Sequence, residues 1–261
     1  MPNPCFEFFE VVAEELSREE SRVLTRNDLQ LDDEHSALLD DLKQHTRATT
    51  SEDAITQAVI ILGAHFLSKG SQLPFTYDNA TGRFTALDRD YLTFVSQISN
   101  IRSLGKKGRE FELSVLDRLK VRAMGSLHRV GHPRQTRRTK KQFNTYLKKL
   151  GFNGKVLIGQ EKDGGFDILW LLPIGTVPHQ PIVCVQCKNA AFDIGEADKS
   201  CGPCSRSLAQ HTGLQNQVHV PCVLFNDYIS PEFLTKKQLQ FVPLGLSDLI
   251  QLTTPITMKA I

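Results

Sequence analysis

The chain lacks any apolar run able to cross a bilayer: the longest, around Ala58 to Leu67, is about ten residues with His65 inside it, roughly half of what a spanning helix needs. Cysteine is scarce, 6 in 261 residues, which excludes a disulfide scaffold. With 17 Gly, 12 Pro and 40% apolar residues, collagen-like and wholly disordered classes also drop out. The opening Met1-Pro-Asn-Pro-Cys-Phe-Glu7 lacks the basic flank and cleavage pattern of an export signal. A soluble cytoplasmic protein with no membrane partner is the expectation. Net charge is small as well: 31 Lys and Arg against 29 Asp and Glu leave +2. The length suits one large or two modest domains.

That small total hides a segregation along the chain. Residues 1–100 hold 8 basic and 17 acidic side chains, a net of −9. Residues 101–160 hold 16 and 3, a net of +13, and residues 161–261 hold 7 and 9, a net of −2. A segment this positive attracts a polyanion however neutral the whole chain is. Within it, the stretch from Leu127 to Lys149 interleaves Arg134, Arg137, Arg138, Lys140 and Lys141 with Phe143 and Tyr146. Cations so placed neutralise backbone phosphates and release counterions, while aromatic rings anchor or stack. Those five basic residues are the expected nucleic-acid contacts.

Residues 1–104 predict an acidic, mainly helical domain for dimerisation, regulation or recognition. Phe6, Phe9, Val12, Ala13 and Leu16 recur at helical spacing between acidic positions. Ser51 is expected to cap a helix that carries Glu52 and Asp53 in its first turn and stops at Lys69-Gly70. Thr76 to Thr85 has the turn chemistry of a short hairpin or loop, and Asp88 to Leu104 reads as a further helix.

Residues 105–261 predict an α/β domain. Phe111, Val115 and Leu119 give a helix from about Lys107 to Met124, with Glu112 at the edge of its buried side. From Lys155 the period moves towards two, and strands are expected at 156–158, 166–172, 181–188, 218–225 and 239–244. Short helices are expected at 205–213 and 246–252, the second capped by Ser247. This order predicts a mixed central sheet flanked by helices, with a basic insertion at about 125–154.

Side chains alternate along a strand, so Asp167, Leu169 and Leu171 share one face, as do Cys184, Gln186 and Lys188. Pairing the two strands brings Asp167 beside Gln186 and Lys188. A carboxylate, a second oxygen ligand and a lysine at that separation suit metal-assisted phosphodiester hydrolysis. The carboxylate holds a hard cation such as Mg²⁺, the cation polarises the phosphate and ionises a water, and the ammonium orients that water or offsets developing charge.

Glu112 in Gly-Arg-Glu-Phe-Glu, then Asp163-Gly-Gly-Phe-Asp167, then Val185-Gln-Cys-Lys188-Asn resemble the PD-(D/E)xK nuclease superfamily. The closest likeness is to its Mrr-like restriction endonuclease branch, in which glutamine replaces the middle carboxylate. It extends over roughly residues 105–252 and leaves the first hundred outside. The resemblance implies a restriction-endonuclease-like fold and a Mg²⁺-dependent DNA endonuclease, with Mn²⁺ able to substitute. It also implies double-stranded DNA as substrate, a role in a restriction or defence system, and a homodimer or higher oligomer. Carried onto this sequence, Asp167 is the central metal ligand, Gln186 assists metal or water, Lys188 is the catalytic lysine and Glu112 is a further acidic ligand. RNA or branched DNA are substrates the same site could serve.

A rival pattern uses the cysteines. Cys184-Val-Gln-Cys187 and Cys201-Gly-Pro-Cys204 have four-thiolate zinc spacing, which would make this a non-catalytic zinc-binding nucleic-acid module. Its context opposes it, because a continuous strand through Ile182 to Lys188 sends Cys184 and Cys187 to opposite faces. Gln210 and His211, after the active strand, read as a solvated face.

Overall fold

A computed structural model describes residues 3–18, 23–26, 29, 33–105, 108–123, 125–129, 167–172, 181–197, 218–230, 239 and 241–253. The chain divides into two compact units, Met1–Lys106 and Lys107–Ile261. Among the described residues no helix is long and apolar enough to cross a membrane.

The first unit has α1 (Pro4–Arg18), β1 (Val23–Thr25), α2 (Asp33–Thr46), α3 (Ser51–Ser68), β2 (Phe75–Asp78), β3 (Arg83–Ala86) and α4 (Arg89–Ser103). Pro4 opens α1 where its missing N–H costs nothing, and Asn3 Oδ1 accepts from Cys5 N–H at 3.0 Å. Its buried stripe is Cys5, Phe8, Phe9, Val12, Ala13 and Leu16. Phe6, expected in that stripe, is only partly buried and meets His65 edge-on at 4.9 Å. Helix α1 packs on α4, where Arg102 bonds Glu10 at 2.8 Å. The cap of α3 lies one residue earlier than expected: Thr50 Oγ1, not Ser51, accepts from Asp53 N–H at 3.1 Å.

Of the hairpin or loop expected at 76–85, the hairpin forms, pairing Tyr77 with Phe84 and Asp78 with Arg83 around a turn in which Gly82 takes φ 65°. Unforeseen is β1, which joins its far side in the order β1-β3-β2, and α1 packs on this small antiparallel sheet, whose other face exposes Thr76, Asp78, Arg83 and Thr85. Rings fill the space between: Phe9 lies 5.5 Å from Phe66 and 5.9 Å from Phe75, and Tyr77 stacks on Phe84 at 4.5 Å. Each fully buried phenyl ring contributes about 1.5–3 kcal/mol relative to exposure.

The second unit is mixed α/β. Helix α5 (Gly108–Arg122) precedes a five-stranded sheet of β4 (Ser126–Arg129), β5 (Ile168–Leu171), β6 (Ile182–Lys188), β7 (His219–Phe225) and β8 (Val242–Leu244). A closing helix α6 spans Asp248–Thr253. Strand order follows chain order; β4–β5 and β5–β6 are antiparallel, β6–β7 and β7–β8 parallel. All of β5 and the first four residues of β6 are buried, so both faces of this sheet are covered there. Alternate residues of β7 feed a cluster of Val223, Phe225, Ala197, Ile229 and Phe241.

One strand was not announced by the sequence. Residues 126–129, assigned from sequence to the basic insertion, form the edge strand β4 against β5. Ser-Leu-His-Arg carries one apolar residue, and an antiparallel edge tolerates a polar strand that no hydrophobic pattern announces. The strand expected at 156–158 and the helix expected at 205–213 lie outside the described residues. At the other edge, Pro243 sits in β8, which among the described residues pairs on one side only, so the N–H that proline lacks is tolerated there.

Candidate active site

Strand register decides which side chains meet. Ile168 pairs with Val185, so Asp167, one residue before β5, stands opposite Gln186. The carboxylate reaches across that pair: Gln186 Nε2 donates to Asp167 Oδ2 at 2.6 Å, and Cys187 N–H donates to the same oxygen at 2.7 Å. Asp167 N–H in turn donates to Val185 O at 2.8 Å. Lys188, two residues beyond Gln186, lies on the same face at the last position of β6. Burial ends where this chemistry begins. The first four residues of β6 are buried, and Gln186, Cys187 and Lys188 are partly open. Lys188 therefore ends a strand as a partly exposed residue, not inside an apolar layer.

Helix α5 approaches the same end of β6. It buries Phe111, Val115, Leu116 and Leu119 and packs on that strand. A Cβ added to Gly108 would stand 4.0 Å from the Cβ of Asn189, so the first turn of α5 runs beside the residue that follows Lys188. Glu112, partly buried, is four residues along and therefore on the Gly108 face of the helix. The start of β5, the end of β6 and the start of α5 thus bring Asp167, Gln186 and Lys188 together and direct the Glu112 face of α5 to the same edge. Each lies at the carboxyl end of the parallel strands, where open α/β sheets bind ligands.

No known family model matches this chain, and no curated protein or solved structure matches it. Its function is therefore read from the site alone.

As a cation site, the arrangement offers Asp167 as a hard oxygen ligand. Gln186 turns its Nε2 to that carboxylate, leaving Oε1 as its atom for a cation or water. Among the described residues no group of three or more His, Cys, Asp and Glu is arranged to hold a metal ion.

Strand β6 is continuous through Cys184 and Cys187, which consequently face opposite sides of the sheet; Cys184 is 1% exposed. Cys5 is a free thiol, and Cys201 and Cys204 lie outside the described residues. So do Arg134, Arg137, Arg138, Lys140, Lys141, Gln210, His211 and residues 163–166 of the Asp-Gly-Gly-Phe-Asp motif. Trp170 alternates away from Asp167 into the core. His219 starts β7 at the far end from Lys188; burial lowers its pKa, and its buried Nε2 has no hydrogen-bond partner among the described residues.

Sequence reasoning missed two participants. The Cys187 backbone N–H carries no residue-type signal, since any non-proline residue supplies it. Asn226, immediately after β7, donates its Nδ2 to Asn189 Oδ1 at 2.7 Å beside Lys188. A polar residue closing an apolar strand was its only trace.

Proposed function

We propose that the second unit is a metal-dependent DNA endonuclease of restriction-endonuclease-like fold, hydrolysing phosphodiester bonds in a restriction or defence role. The observation that carries this reading is the Asp167–Gln186 pair with Lys188 on the same face and at the same sheet edge. A bound Mg²⁺ supplies Lewis-acid polarisation of the phosphate and a water of lowered pKa. Asp167, with Glu112 and the Gln186 amide oxygen, would hold that ion. The Gln186 and Cys187 donors fix the direction of the Asp167 carboxylate, which supports its use as a pre-oriented ligand. Lys188 places a positive charge where the attacked phosphate gathers negative charge. Water oxygen bonds to phosphorus as the bond to the leaving oxygen breaks, with no covalent enzyme intermediate. Arg134, Arg137, Arg138, Lys140 and Lys141 supply the phosphate grip on double-stranded DNA. Two copies of the chain would serve the two strands.

Asp167→Asn keeps an acceptor for both donors, and Lys188→Ala removes a partly exposed side chain, so both variants should fold. Each is expected to lose Mg²⁺-dependent cleavage of plasmid DNA by about a hundredfold or more. Parent-level cleavage by either folded variant overturns the assignment, as does stoichiometric, chelation-resistant zinc in a protein that does not cut.

A further inference from the structure

Beyond Lys188 the sheet edge is closed by a corner that the nuclease reading leaves unused. Asn226 is 3% exposed. Its backbone N–H donates to Lys188 O at 2.9 Å, while its side chain holds Asn189 Oδ1. The next residue, Asp227, extends the corner: Oδ2 accepts from Phe192 N–H at 2.9 Å, and its backbone oxygen accepts from Leu246 N–H at 2.9 Å. The exits of β6, β7 and β8 are therefore tied at one place. Packing alone does not call for an amide there, because an apolar side chain of similar volume fills such a space without the desolvation an amide carries. The bond from Asn226 instead fixes the direction in which the chain leaves β6, at Lys188 and Asn189, where Gly108 of α5 also abuts.

We infer that Asn226 is a positioning residue, holding Lys188 and Asn189 at the depth and angle at which the ammonium meets the scissile phosphate. The inference rests on the nuclease reading of the same site. A small misplacement of a catalytic group costs up to about a hundredfold in rate, and a bond one residue removed from the chemistry costs less.

Steady-state Mg²⁺-dependent cleavage of duplex DNA tests it with four variants. Asn226→Ala deletes the donor, and Asn189→Ala breaks the same bond from its partly exposed end, which keeps the test open should the first variant not fold. Asn226→Asp preserves a bond, because the Asn189 amide can turn and donate to it. Ile229→Val trims the neighbouring apolar cluster without touching Lys188 or Asn189. The expected result is a loss of about tenfold in kcat for both alanine variants with KM for DNA within about twofold. Asn226→Asp should recover to within about threefold of the parent, and Ile229→Val should stay within about twofold. Parent-level kcat in the folded alanine variants overturns the inference, and so does a kcat loss that simply follows melting temperature across all four. A parent that does not cleave removes the nuclease reading and this inference with it; a cleaving parent indifferent to Asn226 and Asn189 removes the inference alone.

Discussion

At the residue scale, what a side chain can do follows from what already occupies it. Asp167 spends one oxygen on two donors, which holds the group in one orientation. His65 shows the opposite relation, a titratable group that the fold discourages from charging. Burial first, and the nearby Lys69 cation second, lower its pKa from 6.5 to about 4. Between those values an unfolded chain takes up a proton that the folded chain refuses, so stability falls as pH drops through that window. Each unit of the gap is worth about 1.4 kcal/mol before discounting for the partly open ring. Glu10 works in the other direction, its pKa raised by burial against the pull of Arg102, but it is common to parent and variant. Urea midpoints at pH 7 and pH 5 should show a smaller acid loss in His65→Gln than in the parent; equal losses would assign the acid sensitivity elsewhere.

At the scale of elements, much of the fold could be read from spacing, and the exceptions share physical causes. Helices α1, α3, α4 and α5 and strands β5, β6 and β7 announce themselves because each buries a repeating apolar face. Strand β1 has three residues and β4 only Leu127 as an apolar member, so their pairing is decided by neighbours rather than by their own pattern. Alternation along each strand, once β5 and β6 pair in this register, puts Asp167, Gln186 and Lys188 on one face. The Asn226 corner was invisible, because it depends on which strands lie side by side. Glycines make the same point. Gly245 has no room: a Cβ there would lie 2.6 Å from Asp227 O and 3.0 Å from Ile229 N, both backbone atoms. Gly63, inside α3, has nothing within 4 Å. Gly245→Ala should cost about 1–3 kcal/mol by forcing that corner apart, whereas Gly63→Ala should gain about 0.5–1 kcal/mol from helix propensity. Thermal denaturation reads both, and equal signs would show that space is not what separates them.

At the scale of the whole molecule, charge and chemistry occupy different stretches of one chain. The acidic first unit carries none of the proposed catalytic residues, and the +13 stretch, residues 101–160, contains Glu112 and ends shortly before Asp167 in sequence. Grip and cutting should therefore separate experimentally. Replacing Arg134, Arg137, Arg138, Lys140 and Lys141 with alanine should flatten the dependence of log K on log salt for duplex DNA, by about 0.9 for each phosphate that is no longer neutralised. Asp167→Asn should leave that slope unchanged, and an unaltered slope in the basic-segment variant would place the grip elsewhere. The antiparallel pairing of β5 with β6 carries a last consequence. Asp167 and Gln186 stand opposite each other in one register only, and a slip of one residue turns one of them to the other side of the sheet. The same slip drags the buried side chains of β5 out of their layers. A mispaired molecule is thus silent rather than weakly active under the nuclease reading, and the specific activity of a preparation becomes a census of its correctly paired chains.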